Sequence, residues 1–362
     1  MKVIIAGGGT GGHIFPAIAI ANALKEQRPG IEILFVGAKG KMEMEKVPQA
    51  GYKIVGLDIA GLNRSSLIKN IGLPFKLVKS FFQVKNIFKS FKPDAVIGVG
   101  GYSSFPVLRY AQAKGIHSFI HESNSFAGKS NILLGKKASK IFTGTDGMEK
   151  FFPANKIMVT GNPVRSAIAR SAVTKEEGVQ FFGLSPQRKT VLVVGGSLGA
   201  KTINETIDKH LDELLQAGLQ VIWQTGKPYA AAAKARVQGK AGVWANDFIT
   251  DMQFAYAAAD IIVARAGAMT VAEICVVQKP ALFVPYPYAA EDHQTANARA
   301  LVDKGAAIMV KDSEAIDKVV PLLIELAGDE ARQLEMKTQL AKLAITDADT
   351  KIAKTVLTVT VT

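Results

Sequence analysis

The first stretch able to do chemistry is Gly7-Gly8-Gly9-Thr10-Gly11-Gly12, with His13 directly behind it. Bare backbone N–H groups at the start of a helix form a cradle for phosphate or pyrophosphate. Gly7, Gly9 and Gly12 keep the G-x-G-x-x-G spacing of dinucleotide sites. Such sites also need an acidic residue near the end of the second strand, and Phe35-Val36-Gly37-Ala38-Lys39 has none, which argues against NAD. A tight turn without a ligand fits the glycines as well. His13 falls at the start of the first helix, aimed at a ligand crevice rather than a core. An imidazole there can take a proton from a substrate hydroxyl near neutral pH, and the positive helix end favours its neutral form.

Two clusters in the second half carry further chemistry. Gly195-Gly196-Ser197-Leu198-Gly199 matches the G-x-S-x-G elbow of α/β-hydrolases, with His210 and His293 downstream as triad partners. The equivalent first-half loop has no serine, which favours two phosphate cradles of one architecture. Arg265-Ala266-Gly267-Ala268-Met269-Thr270-Val271-Ala272-Glu273 has small residues opening a helix and a carboxylate one turn later. That order suits a diphosphate at the helix N-terminus and a carboxylate accepting two ribose hydroxyls. Spacing alone also fits a capped helix with Glu273 on its solvated side.

Elements that could position these groups follow from the apolar runs. Strands are expected at Val3–Ala6, Ile33–Val36, Lys53–Leu57, Ala95–Val99, Ser118–His121, Lys140–Thr143 and Ile157–Thr160. A second set is expected at Val191–Val194, Gln220–Gln224, Val243–Ile249, Ile261–Ala264, Ala281–Pro285 and Ala307–Val310. Strands alternating with helical stretches imply an α/β fold with parallel sheets. Both halves begin with a buried strand, a Gly-rich turn and a helix, so two tandem Rossmann-like domains with an interdomain cleft are expected. Pro163 and the polar stretch behind it place the boundary after residue 162. The second domain is expected over 163–340, and a C-terminal segment, 341–362, could cross back to the first.

Composition narrows the class. At 362 residues the chain exceeds one core, and 48% hydrophobic against 21% charged residues excludes a disordered protein. A single cysteine, Cys275, excludes a disulfide framework and a Cys-rich zinc site, and in its apolar run reads as a small buried hydrophobe. The opening Met-Lys-Val-Ile-Ile-Ala reads as a strand rather than a signal peptide, and no run approaches the ~20 apolar residues of a membrane span. Lys and Arg number 44 against 31 Asp and Glu, a net charge of +13, which favours anionic partners.

Eight motifs in order carry a resemblance. In the first half they are Gly8 through His13, Gly100-Gly101-Tyr102-Ser103-Ser104-Phe105-Pro106, His121-Glu122-Ser123-Asn124 with Ala127-Gly128, and Gly161 through Arg165. Gly195 through Ala200, Phe248-Ile249 with Asp251-Met252, Arg265 through Glu273, and Asp292-His293-Gln294-Thr295 with Asn297-Ala298 follow. The set resembles the MurG family of glycosyltransferases, glycosyltransferase family 28. Its members add N-acetylglucosamine to undecaprenyl-pyrophosphoryl-MurNAc-pentapeptide (lipid I) to make lipid II in peptidoglycan synthesis. The resemblance implies a GT-B fold, UDP-GlcNAc mainly on the C-terminal domain, and lipid acceptor on the N-terminal one.

It implies UDP-GlcNAc contacts at Thr10, Gly11, Gly12, Asn124, Arg165, Ser197, Ile249, Ala268, Met269, Thr270, Val271, Ala272, Glu273 and Gln294, and an acceptor side at Tyr102, Ser103 and Ser104. Within that frame, Ser197 and the amides of residues 268–270 would hold the diphosphate and Glu273 the ribose. The Ile249 backbone would meet the uracil edge, and Gln294 with Asn124 the sugar hydroxyls. His13 becomes the base for the acceptor C4 hydroxyl in a single inverting displacement, with no cofactor and no metal required. Many family members carry glutamine where this chain has Ser123 and Leu198, so an amide contact from either position is absent. The rival readings are a GT-B transferase with another lipid acceptor and a Ser197 hydrolase.

Between Arg64 and Lys92 lie Arg64, Lys69, Lys76, Lys79, Lys85, Lys89 and Lys92 without an acidic residue, interleaved with Leu73, Phe75, Leu77, Phe81, Phe82, Ile87, Phe88 and Phe91. Leu77, Phe81, Val84 and Phe88 keep helical spacing, and part of that face is expected to pack on the sheet. The remaining aromatics beside lysines suit an anionic membrane surface. No nucleic-acid motif accompanies them, and nucleic acid is set aside. Peripheral attachment at the cytoplasmic face of the cell (inner) membrane is the expectation.

Overall fold

The computed structural model describes residues 1–60, 73–196 and 198–361, in two compact units. The first contains Met1–Arg165 and Asp347–Thr362, and the second Ser166–Thr346.

The first unit runs β1 (Lys2–Ala6), α1 (Gly11–Gln27), β2 (Glu32–Ala38), α2 (Glu43–Gln49), β3 (Lys53–Leu57), α3 (Leu73–Phe91), β4 (Ala95–Gly98), α4 (Ser104–Ala113), β5 (His117–Glu122), α5 (Lys129–Gly135), β6 (Lys140–Thr143) and β7 (Ile157–Val159). Its strands lie in the order β3-β2-β1-β4-β5-β6-β7, all neighbours parallel. Alternate residues of a strand face opposite sides, and both sides of this sheet are covered. Val3 and Ile5 therefore enter one core with Ile14, Ile20 and Phe119, while Ile4 and Ala6 enter another with Val84, Leu108 and Ile120.

The second unit runs α6 (Ser166–Ala169), α7 (Lys175–Phe181), β8 (Thr190–Val194), α8 (Lys201–Gln216), β9 (Gln220–Gln224), α9 (Ala230–Val237), β10 (Val243–Asn246), α10 (Met252–Ala258), β11 (Ile261–Ala264), α11 (Ala268–Val277), β12 (Ala281–Phe283), α12 (His293–Val302), β13 (Ile308–Met309), α13 (Ala315–Gly328) and α14 (Glu330–Leu343). Its strand order is β10-β9-β8-β11-β12-β13, again parallel. The last helix, α15 (Ala348–Val361), returns to the first unit, where Ile352, Ala353 and Val356 join the core that holds α1. Burying Ile352 and Val356 contributes on the order of 1.5–3 kcal/mol each.

Every expected strand is present, and the differences lie at the ends. The strand expected over Val243–Ile249 stops at Asn246, because beyond it the Ile249 N–H turns to the Gln224 side chain instead of a neighbouring strand. On α3 the part of the apolar face turned inward is Val84 and Phe88, with Ser80, whereas Leu77 is exposed. Arg64 and Lys69 lie outside the described residues. Cys275 is buried, and burial pushes its thiol up to about 11, so it is an inert packing residue.

Each sheet changes direction once. Chain order reverses between β1 and β4 in the first sheet and between β8 and β11 in the second. In open α/β sheets ligands bind beyond the C-terminal strand ends at such points. The Gly-rich loop after β1 and Gly100–Gly101 after β4 flank the first reversal; Gly195–Gly199 and the start of α11 flank the second.

Candidate active site

At the first reversal the glycines allow backbone to meet backbone. Gly8 N–H donates to the Gly100 carbonyl (3.3 Å), and Gly7 N–H to that of Val36 (3.1 Å). Gly101 has φ +83°, and a Cβ there would overlap the Gly8 carbonyl. Gly9 N–H goes to the Glu43 carboxylate at 2.8 Å. The phosphate cradle is thus narrower than the glycine run suggests, since three of its amides are used inside the protein. The amides of Gly11 and Gly12 belong to the first turn of α1, where helices lack internal acceptors.

His13 is half-buried in the first turn of α1, and its Nδ1 lies 3.1 Å from the Gly8 carbonyl. A carbonyl only accepts, so in the neutral ring Nδ1 carries the hydrogen and Nε2 keeps its lone pair. Nε2 lies against Gly100, where an added Cβ would approach to 2.8 Å. The neighbouring imidazole, His121, is fully buried at the end of β5. Burial first, and the nearby His13 second, push its pKa down to about 4, so it is neutral at pH 7.

Glu122 shapes the loop that carries Asn124. One carboxylate oxygen accepts from the Asn124 N–H (3.1 Å) and side chain (3.4 Å). The other accepts from Gly128 N–H (3.1 Å) and Asn131 Nδ2 (2.8 Å). Ser123 is buried, and its carbonyl accepts from Asn162 Nδ2 at 3.1 Å. The Arg165 guanidinium stacks 4.3 Å over the Phe15 ring, which holds it beside α1. Of the acceptor-side residues, Ser103 and Ser104 are buried, and the Ser104 hydroxyl donates to Gly101 O (2.7 Å). Tyr102 is partly exposed.

At the second reversal Ser197 lies outside the described residues. Leu198 beside it is 80% exposed, so it presents an apolar side chain to solvent. Sequence reasoning missed Gln224, which joins two loops: its Nε2 donates to Gly196 O and its Oε1 accepts from Ile249 N–H, both at 3.1 Å. The Ile249 N–H is therefore occupied, so a backbone contact from Ile249 to a base would come from its carbonyl.

Gly267 caps α11, so the amides of Ala268, Met269 and Thr270 occupy its first turn, with Val271 N–H closing the first helical bond to Gly267 O. Met269, Thr270, Val271 and Ala272 are partly exposed. Glu273 is 8% exposed and accepts a hydrogen bond from Tyr256 OH (2.8 Å), so the solvated-side alternative does not hold. Arg265 is a clamp within the fold, donating to Val284 O, Pro285 O and Asp312. Gln294 accepts from Tyr286 N–H (3.0 Å) through Oε1, which leaves its amide NH2 as a donor. His210, a triad partner in the hydrolase reading, is nine residues beyond Lys201 on α8, roughly 14 Å along the axis, and is bonded to Glu213. That places it far from the loop holding the serine. Among the described residues no group of three His, Cys, Asp or Glu side chains is arranged to hold a metal.

Two family models match the chain. The glycosyltransferase family 28 N-terminal domain covers residues 3–143, and the glycosyltransferase family 28 C-terminal domain residues 190–354. A protein of Phocaeicola vulgatus is 51% identical over 360 residues, 98% of this chain and 96% of that one. One of Parabacteroides distasonis is 50% identical over 345 residues, 95% and 94% of the two chains. Both are named UDP-N-acetylglucosamine--N-acetylmuramyl-(pentapeptide) pyrophosphoryl-undecaprenol N-acetylglucosamine transferase. The crystal structure of Acinetobacter baumannii MurG superposes with a TM-score of 0.76 at 31% identity, covering 99% of each chain.

Proposed function

Because the chain belongs to glycosyltransferase family 28, we propose that it transfers N-acetylglucosamine from UDP-GlcNAc to the C4 hydroxyl of MurNAc in lipid I, with inversion, giving lipid II. The substrates are those in the names of its relatives. The observation that carries the chemistry is His13, whose Nδ1–H is committed to the Gly8 carbonyl (3.1 Å) and whose Nε2 is free to accept a proton. As the C4 oxygen attacks the anomeric carbon, its proton passes to Nε2, and the bond to the UDP oxygen breaks with its electron pair leaving on UDP.

On the donor side the α11 amides at Ala268, Met269 and Thr270 meet the diphosphate, and the helix dipole favours the departing charge. Ser197 shares that task in this reading. Glu273, held by Tyr256, accepts the ribose hydroxyls; the Ile249 carbonyl accepts from uracil N3–H; the Gln294 NH2 and Asn124 meet the sugar. Val271 and Ala272 line the same helix. Thr10, Gly11, Gly12 and Arg165 are further UDP-GlcNAc contacts in this reading, and Tyr102 is on the acceptor side, with Ser103 and Ser104 shaping its loop. No helix among the described residues is long and apolar enough to cross a bilayer.

The reading is tested with purified protein, labelled UDP-GlcNAc and lipid I. Transfer to lipid I is expected, and UDP-GlcNAc and UDP raise the melting temperature while UDP-galactose does so less. Failure to label lipid I, with transfer to another lipid or hydrolysis of an ester, would return the function to one of its rivals.

The same proposal includes peripheral attachment at the cytoplasmic face of the inner membrane through α3. Phe75, Leu77, Val78 and Phe82 are exposed there beside Lys76, Lys79, Lys85 and Lys89, and Phe75, Val78, Lys79 and Phe82 line one shallow hollow. Lys79 also pairs with Asp58 (2.9 Å), whose carboxyl is held down at about 2 by hydrogen bonds from Lys39 and Lys79. The free basic charge is therefore smaller than the lysine count. With roughly 1 kcal/mol for each unpaired lysine near anionic lipid, replacing Lys76, Lys79, Lys85 and Lys89 together by glutamine should weaken binding to phosphatidylglycerol vesicles about 100-fold. UDP binding should be unchanged; vesicle binding equal to wild type would sink the assignment.

A further inference from the structure

Glu43, on the first turn of α2, is 1% exposed, yet no motif points to it. Its Oε1 accepts from Ala38 N–H at 2.9 Å and its Oε2 from Gly9 N–H at 2.8 Å, so it joins the end of β2 to the Gly-rich loop. Two glycines make the space it occupies. A Cβ on Gly8 would overlap the carboxylate, and one on Gly37 would lie 2.5 Å from its Cγ.

The Gly9 N–H and the Gly8 carbonyl belong to one peptide unit, and across a trans peptide they point in opposite directions. Glu43 holds the N–H side of that unit, and the carbonyl side faces His13 Nδ1. We propose that Glu43 is a positioning residue for His13, acting through the Gly8–Gly9 peptide in a chain of carboxylate, peptide and imidazole.

Two effects follow. A peptide gripped at its N–H cannot rotate, so the carbonyl stays where Nδ1 needs it and Nε2 stays the free nitrogen. Hydrogen bonds in series also polarise one another, so the carboxylate strengthens the acceptor that meets the imidazolium formed when Nε2 takes the C4 proton. Glu43 itself takes no proton in the reaction. The inference rests on the reading of His13 as base.

The test is Glu43→Gln in the full-length protein. Glutamine keeps the shape but offers one acceptor and one NH2, so one of the two backbone donors meets another donor. By analogy with groups that orient a reactive side chain from behind, kcat should fall roughly 10- to 100-fold. The KM for UDP-GlcNAc and thermal stabilisation by UDP should hold, and Glu43→Asp, which retains both acceptors, should recover part of the loss. A second readout needs no activity: nitrogen NMR of the histidine rings. It should show His13 protonated on Nδ1 in the wild type and as a mixture of tautomers in Glu43→Gln, with the Gly9 amide proton moving upfield. Wild-type kcat in folded Glu43→Gln, or a wild-type His13 ring spectrum in that variant, would overturn the proposal. Should Glu43→Gln not fold, Glu43→Asp decides by the same two readouts, a shifted His13 spectrum with reduced kcat supporting the proposal and unchanged values overturning it. If the wild-type protein transfers no sugar to lipid I, the functional reading fails separately, and the ring spectra still judge the link between Glu43 and His13.

Discussion

His13→Gln should lower kcat by about three orders of magnitude while the protein stays folded and keeps its affinity for UDP-GlcNAc. The size follows from general base catalysis, which contributes typically 10²–10⁴-fold. Glutamine is the informative replacement, because its amide NH2 can donate to the Gly8 carbonyl as Nδ1 does (3.1 Å), whereas nothing in it accepts a proton at neutral pH. The ring is half-buried and against Gly100, so the substitution disturbs the loop little. His121 cannot stand in for the missing base: it is fully buried, and at a pKa of about 4 its nitrogen is a weak acceptor. A residual rate from positioning and charge stabilisation should remain, with the pH dependence owed to the imidazole removed. Steady-state kinetics on lipid I with thermal shifts by UDP-GlcNAc would check this, and a loss under tenfold would move the proton to another group.

Much of this architecture was legible because parallel strands covered on both faces read as unbroken apolar runs. Val191 through Val194 and Ile261 through Ala264 need no partner information to be recognised, and the glycines mark the turns at their ends. What stayed hidden are bonds from side chains to distant backbone. Glu43 reaches Gly9 across 34 residues and Gln224 reaches Ile249 across 25, and no local period encodes either. A glycine-rich run shows that amides are bare of side chains, not that they are unused. Gly8, Gly9 and Ile249 look available in one dimension and are occupied in three. Glu273 shows the converse, since spacing left it between a solvated and a functional position, and Tyr256, seventeen residues away, decides its environment.

Glu273→Ala should raise the KM for UDP-GlcNAc by 10²–10³-fold with kcat at saturating donor close to wild type. The carboxylate is 8% exposed, and one of its oxygens is met by Tyr256 OH at 2.8 Å, which helps to orient it. A hydrogen bond to a charged group is worth about 1.5–3 kcal/mol, and two ribose hydroxyls lost together give the expected factor after water replaces part of the contact. Ribose is remote from the anomeric carbon and bound alike in ground and transition states, so its loss falls on KM rather than on kcat. The discriminating substrate is the 2′-deoxyuridine analogue of the donor. Wild-type enzyme should prefer the ribose donor over it by at least tenfold, and Glu273→Ala should treat the two alike. Tyr256→Phe should lie between, raising KM several-fold, because the carboxylate remains but loses the bond that aims it. Removing the buried carboxylate takes away the hydrogen bond it makes with Tyr256 OH (2.8 Å), so melting curves must confirm a folded protein at the assay temperature. A folded Glu273→Ala enzyme with a donor KM within threefold of wild type would show that the ribose is held elsewhere.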